Sequence, residues 1–194
     1  RRVGETRAGR GLVILAPEAT EDAGIWELNV AARNQPGLLA SIAGVLSLHD
    51  LNIFAADLFV WNDGAVVAVF AVSAPPDPLY ADDFWTRIRG ALKFAMTGKL
   101  SLDYRLDRKR NSMLTTSGPQ ARGLTVNVDN QSTDFYTVVE VKTWDRPGLL
   151  YEIVHTLQSL QIDVHLARVA THEDQVADYF YVRDEDGQKL EDEA

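Results

Sequence analysis

Apolar and polar residues alternate in two stretches of the chain that each end at a Pro-Gly pair, the pattern of a half-buried β-strand followed by a turn. After each pair the apolar residues take the spacing of one helix face, and two more extended runs follow. The strand and helix positions that carry the pattern are Trp26, Leu28, Val30, Leu38, Ile42, Val45 and Leu46 in the first stretch and Val139, Val141, Leu149, Ile153, Leu157 and Leu160 in the second. The chain therefore repeats the order strand, helix, strand, strand.

The two stretches are copies of one unit, because Asn34–Leu39 recurs as Asp145–Leu150 at a shift of 111 residues. In the first copy a second helix is predicted over about Leu79–Thr97, and the run Leu124–Asp129 is predicted to supply a fourth strand. Each copy would be a ferredoxin-like βαββαβ unit of the α+β class, with helices on one face of an antiparallel sheet. The second copy is truncated, since it ends before its own second helix and last strand.

The predicted domain boundaries follow from these copies. Residues 24–131 would form the first domain and residues 132–194 the second, incomplete domain, after an N-terminal linker segment at residues 1–23. A polar linker is predicted after the second helix of the first copy. Because the incomplete copy would leave a sheet edge open, the apolar run Leu12–Leu15 is a candidate strand to cover that edge.

Composition and charge exclude several classes of function. The formal net charge of −9 would repel a phosphate backbone, so we expect no nucleic-acid partner, and the basic run Arg108–Arg110 is interpreted as part of a solvated loop. The absence of cysteine excludes disulfides and thiol catalysis and fits a cytoplasmic protein. No run approaches the ~20 apolar residues of a membrane span, so no membrane partner is expected. Because the chain begins at Arg1 without a methionine, we expect a piece of a longer protein.

The Pro-Gly turns are the candidate binding sites. A helix N-terminus offers N–H groups without intrahelical partners to a carboxylate, and Asp145 just before the second turn would receive an α-ammonium group, which together outline an amino-acid site. A structural interpretation is equally open on the residues alone. In that interpretation Pro147 begins the helix, Gly148 allows helix and strand to pack, and Asp145 caps the helix N-terminus.

The second copy resembles an ACT domain, and it resembles one branch of that family in particular, the C-terminal part of bacterial PII uridylyltransferase/uridylyl-removing enzymes. The residues that carry the resemblance are Asp145–Leu150, Asp163–Thr171, Phe180–Val182 and Asp186-Gly187. The resemblance implies that paired ACT domains sense glutamine and bias the catalytic domains of a parent enzyme. That bias would be between nucleotide transfer to the PII signalling protein and nucleotide removal, and the nucleotide can be uridylyl or adenylyl.

The resemblance also implies which partners and cofactors to expect. L-glutamine, the catalytic domains of the parent and PII are the implied partners, and the ACT domains are expected to pair side by side within a chain or in a homodimer. No catalytic residue, metal or cofactor is expected in this chain, whereas the parent would use Mg²⁺ and a nucleoside triphosphate.

Two ligand sites follow from the resemblance. The second site would use Asp145, Arg146, Gly148, Leu149 and Leu150, with Asp163 and Val164 on the neighbouring strand facing a partner domain's ligand. The first site would use Asn34, Gln35, Gly37, Leu38, Leu39, Asn52 and Ile53. Because Asn34-Gln35 stands where the second copy has Asp145-Arg146, we expect the second site to bind glutamine more tightly.

Two other classes of function stay open on the sequence. One is a stand-alone tandem-ACT protein that acts through protein contacts without catalysis. The other is an enzyme such as a carboxylate-based hydrolase, which the sequence disfavours because its acids cluster in loops and at the C-terminus. The His49-Asp50 dipeptide falls at a predicted helix end and is not expected to hold a metal.

Overall fold

A computed structural model describes residues 13–22, 24–113, 123–172 and 175–190. The helices and strands of both copies form, and the α+β class with an antiparallel sheet and helices is confirmed. A short 3-10 helix, Pro78–Tyr80, precedes α2. In chain order the elements are β1 (Val13–Ala19), β2 (Ile25–Arg33), α1 (Leu38–Leu48), β3 (Ile53–Val60), β4 (Ala65–Ser73), α2 (Ala81–Met96), α3 (Leu102–Met113), β5 (Thr125–Asp129), β6 (Thr137–Trp144), α4 (Leu149–Ser159), β7 (Asp163–His172) and β8 (Gln175–Arg183).

The strands form one eight-stranded antiparallel sheet in the order β1-β2-β4-β3-β7-β8-β6-β5. The two copies meet at its centre, where β3 pairs with β7 from Ala55 opposite Ala170 to Phe59 opposite Leu166. Because β3 and β7 are equivalent strands of the two copies and run antiparallel, an approximate twofold axis relates the copies. The start of each central strand therefore lies beside the other copy.

The outer strands of the sheet differ from the prediction. Strand β5 was expected to complete the first copy, but it pairs with β6 of the second copy, with Val126 opposite Val141. The N-terminal apolar run was expected to cover the second copy, but β1 pairs with β2, with Val13 opposite Ala32. Each outer strand thus pairs with the strand that follows it through a short connection, which costs less chain entropy than a crossover to the distant copy. Part of the predicted N-terminal linker is therefore a strand.

Helix α3 occupies the region predicted as a polar linker and solvated loop. Its buried Leu102 and partly buried Leu106 face the core, and the hydroxyl of Tyr151 on α4 donates a hydrogen bond to Asp103. Lys109 lies at the C-terminal end of α1. Its Nζ donates to the carbonyl oxygens of Ser47 (2.5 Å) and Leu48 (3.1 Å), where a cation also meets the negative end of the helix dipole.

The core lies between the sheet and the helices and is continuous across both copies. Phe70 and Phe180, at equivalent positions of β4 and β8, are fully buried. Helices α1 and α4 pack closely against each other where α1 has Gly44. A Cβ added at Gly44 would lie only 2.8 Å from the ring of Tyr151. None of the helices in the described part of the chain is long and apolar enough to cross a lipid bilayer.

Candidate functional site

Both Pro-Gly turns have the same backbone geometry. Gly37 and Gly148 are the N-cap residues of α1 and α4, with φ of 75° and 83° in the left-handed region. A side chain at either position would be strained, which explains why glycine recurs there. Pro36 and Pro147 precede these N-caps, so they lie in the turn before each helix. The structural interpretation had placed Pro147 in the first helical turn, and this was wrong.

The β3–β7 pairing places each turn beside the start of the other copy's central strand, and this creates two clefts. The first cleft lies between the turn of the first copy and the start of β7. It is lined by Asn34, Gln35, Gly37, Leu38 and Leu39 on one side and by Asp163 and Val164 on the other. The second cleft joins Asp145, Arg146, Gly148, Leu149 and Leu150 to Asn52 and Ile53.

The predicted grouping of the site residues therefore changes in one respect. Asp163 and Val164 line the same cleft as the turn of the other copy, and their contact with a ligand stays a prediction. Asn52 and Ile53 were grouped with Asn34, but the structure separates them from it and brings them to Asp145 instead. The reason is the antiparallel pairing of β3 with β7, which exchanges the strand starts between the two sites.

The first cleft is roomy and rich in amide groups, with a volume of about 680 Å³. Gln158 and Gln161 of the second copy line it, and a Cβ added at Gly37 would lie 2.9 Å from the carboxamide of Gln158. Asp163 also lines the cleft, and its Oδ2 lies 3.4 Å from Nε2 of His165. Burial lowers the pKa of His165, against the opposing effect of Asp163. A polar molecule of amino-acid size fits this space.

The second cleft is small and acidic, with a volume of about 30 Å³. Among the described residues that line it, Arg146 is the one cation. Glu152 of the same copy holds the Arg146 guanidinium, with 2.6 Å between Nη1 and Oε1 and a second, parallel hydrogen bond. This ion pair raises the pKa of Arg146, so the guanidinium is occupied by a carboxylate outside the cleft lining.

Asp178 on β8 lines the second cleft and was missed by the sequence analysis. It is only 1% exposed, and its Oδ1 has no hydrogen-bond partner in the described part of the protein. Burial raises the pKa of Asp178 to about 7, with a further contribution from Asp145, although the backbone N–H of Ala170 donates to the carboxylate. The signal was available, because an acid interrupts the inward-facing run of Val176, Phe180 and Val182.

His49 and Asp50 lie at the C-terminal end of α1, outside both sets of cleft residues. The His49 ring lies 6.2 Å from the ring of Phe84, and burial lowers the pKa of His49. Asp50 Oδ1 pairs with Lys109 Nζ at 2.7 Å. Within the described ranges, no three His, Cys, Asp or Glu side chains are grouped to hold a metal ion.

Comparisons with known proteins show which family this chain resembles. Residues 125–194 match the family model of an ACR9-like, ACT-like domain. The bifunctional uridylyltransferase/uridylyl-removing enzyme of Rhodospirillum rubrum is 32% identical over 171 residues, which are 86% of this chain and 18% of that protein. The enzyme of the same name from Bradyrhizobium sp. (strain ORS 278) is 34% identical over 170 residues, covering 83% of this chain and 17% of that protein.

The chain is an ACT-type module homologous to the C-terminal region of these enzymes. It spans less than a fifth of the length of these relatives. A crystal structure of aspartate kinase from Synechocystis aligns with a TM-score of 0.43 at 19% identity, over 84% of this chain and 25% of that one. Both clefts of this ACT module are lined by residues of both copies.

Proposed function

We propose that this ACT module is the glutamine-sensing regulatory part of a bifunctional PII uridylyltransferase/uridylyl-removing enzyme. The homology to uridylyltransferase/uridylyl-removing enzymes supports the family context. The observation that carries the proposal is that each cleft is shared between the two copies, so that a bound ligand contacts both. Ligand binding would change how the copies pack and would thereby bias the catalytic domains of the parent enzyme toward one of its two reactions.

The first cleft is the proposed glutamine site, because its volume of about 680 Å³ lies in the range of small-molecule pockets. The first turn of α1 leaves the N–H groups of Leu39 and Ala40 without intrahelical partners, and these would bind the ligand's carboxylate. Asp163 would receive the α-ammonium group, and the amide of Gln158 would pair with the ligand's carboxamide. The sequence favoured the second site because of Asp145, but the second cleft has room for only a few atoms, so the proposal places glutamine in the first cleft.

The division of labour follows from this assignment. The module supplies binding and coupling, whereas nucleotide transfer and removal, with Mg²⁺ and a nucleoside triphosphate, would belong to other parts of the parent enzyme. Glutamine would signal nitrogen sufficiency through the module, and PII would be met by the parent enzyme rather than by the clefts.

Calorimetric titration of the chain with L-glutamine, D-glutamine, L-glutamate and L-asparagine tests the proposal. We expect L-glutamine to bind most tightly, and Asp163→Asn to weaken that binding about tenfold, as expected for a lost charge-assisted hydrogen bond. Asp57→Asn is the matched control, because this acid lies on the central strand of the other copy and pairs with Arg168 away from the cleft residues. Equal binding of all four compounds, or none, would overturn the proposal.

A further inference from the structure

The start of β7 places a histidine beside the acid of the first cleft. The register between β7 and β8 shifts between Val164 and Leu166, so His165 is the extra residue of a β-bulge, and it lines the cleft. Bulges redirect the side chain that they carry and are over-represented next to active sites. Strand β3 carries a bulge at the equivalent place, where Phe54 stands. The bulge itself therefore does not require a histidine.

The His165 ring is held by its neighbours. Its centroid lies 5.5 Å from that of the Tyr136 ring, over which the guanidinium carbon of Arg183 lies at 4.5 Å. Nε of Arg183 in turn donates a hydrogen bond to the carbonyl oxygen of Phe135 at 2.9 Å. In this arrangement Nε2 of His165 lies 3.4 Å from Oδ2 of Asp163, close enough for a direct electrostatic interaction. The Asp163 side chain is still 54% exposed, so it can meet a ligand and His165 together.

The surroundings of His165 favour its neutral form. Burial is the main cause of its lowered pKa, and it outweighs the opposing effect of Asp163; Arg183 on the neighbouring strand also lowers the pKa. Among the described residues that line the first cleft, the other charged groups are Asp184 and Glu185 in the turn after β8. The residues that α1 and α4 contribute to this lining are neutral. At pH 7.5 the imidazole is therefore mainly uncharged and leaves the negative charge of Asp163 to a ligand.

We infer that His165 is a positioning residue of the first cleft: its neutral imidazole orients the carboxylate of Asp163 toward the α-ammonium of an amino acid, and its protonated form competes with that ammonium for the same carboxylate. The inference rests on the proposed function, in which Asp163 receives the α-ammonium group. A protonated imidazole would also repel the ligand's ammonium, because two positive charges would share one acid. The ligand therefore binds the deprotonated form more tightly and, by linkage, lowers the pKa of His165 further.

Calorimetric titration with L-glutamine at pH 7.5 and at pH 5.5 tests the role of His165. We expect the affinity of the parent chain to fall about three- to tenfold at the lower pH, the size expected for one added positive charge at a partly exposed ionic contact. His165→Gln keeps a polar N–H near Asp163 but carries no charge at either pH. It should bind as the parent does at pH 7.5 and lose the pH dependence. His165→Leu has no polar group to orient the carboxylate, so it should bind several-fold more weakly than the parent at pH 7.5.

His155→Gln is the matched control. Nε2 of His155 lies 3.4 Å from Oδ1 of Asp103, the same kind of contact at the same distance, but His155 lies on α4 outside the lining of both clefts. This variant should keep the pH profile of the parent. NMR titration of the His165 ring gives a second readout, because its pKa should fall when L-glutamine saturates the chain.

Failure of this inference and failure of the proposed function give different results. If L-glutamine binds but the parent and His165→Gln share one pH profile, or His165→Leu binds like the parent at pH 7.5, the role of His165 is refuted and glutamine sensing stands. If another compound of the calorimetric panel binds more tightly than L-glutamine and His165→Gln removes its pH dependence, the glutamine assignment fails and this inference stands. If no compound of the panel binds, both are refuted.

Discussion

Replacing Asp178 with asparagine should make the protein more stable at pH 8 and remove part of its pH dependence. Burial and Asp145 raise the pKa of Asp178 to about 7 from its ordinary value of 3.8. Because the folded state holds this proton more tightly than the unfolded state, the group favours folding most below pH 4. Its contribution then falls as the pH rises through the folded pKa, and it is fully lost above about pH 7.

The magnitude follows from the size of the pKa shift. About three pKa units correspond to at most about 4 kcal/mol between pH 4 and pH 8, at about 1.4 kcal/mol per unit. An asparagine amide buried at the same place would itself cost about 1–3 kcal/mol if it finds no acceptor. The net gain of Asp178→Asn at pH 8 should therefore be about 1–3 kcal/mol, and at pH 4 the parent should be the more stable protein.

Urea unfolding followed by tryptophan fluorescence measures this directly, since Trp85 is buried and will report the loss of the core. The parent and Asp178→Asn should be compared at four pH values between 4 and 8. The difference between the two proteins removes the contributions of all other titrating groups. If their stabilities run parallel over the whole range, Asp178 does not titrate in this window and the argument from burial is refuted.

Two further sets of substitutions test the packing around the helix ends. Lys109→Met should lower the free energy of unfolding, measured in urea, by about 1–3 kcal/mol, because it removes a charged donor from the last carbonyls of α1. Asp50→Asn, which removes only the ion pair with Lys109, should lower it less. Equal losses of stability would show that the carbonyl contacts are unimportant. Gly37→Ala should destabilise more than Gly148→Ala, because only Gly37 has a side chain, that of Gln158, within contact of an added Cβ. Gln158→Ala should remove that difference, and a difference that persists would point to the backbone alone.

The sequence was sufficient to predict the repeats, their helices and strands, and the two turns. These depend on local signals, namely alternation, helical spacing and paired Pro-Gly residues, which tertiary contacts do not reverse here. Local signals do not say which strand an outer strand pairs with, so β1 and β5 were assigned to the wrong copies. Helix α3 was missed because few apolar residues mark its buried side, chiefly Leu102 and Leu106, in a segment that is otherwise polar.

That the two Pro-Gly turns bind a ligand stays a prediction, but the structure shows which residues lie beside each turn. Asn52 and Ile53 were grouped with the turn of their own copy, because sequence order suggests that a domain builds its own site. The pairing of β3 with β7 exchanges them with Asp163 and Val164, and no local pattern reports such an exchange. Asp178 was missed for a different reason. A charged residue at an inward-facing strand position can be recognised in the sequence once the strand is known.

Because residues of both copies line each cleft, neither copy of the ACT fold contains a complete cleft by itself. The chain behaves as a heterodimer whose two subunits are tethered, and the tether sets the effective concentration at which the halves meet. If the chain were cut between α3 and β5, the same ligand would act as a bridge between two separate proteins. The sensing that we propose for the intact chain would then be measured as ligand-dependent association of the two pieces.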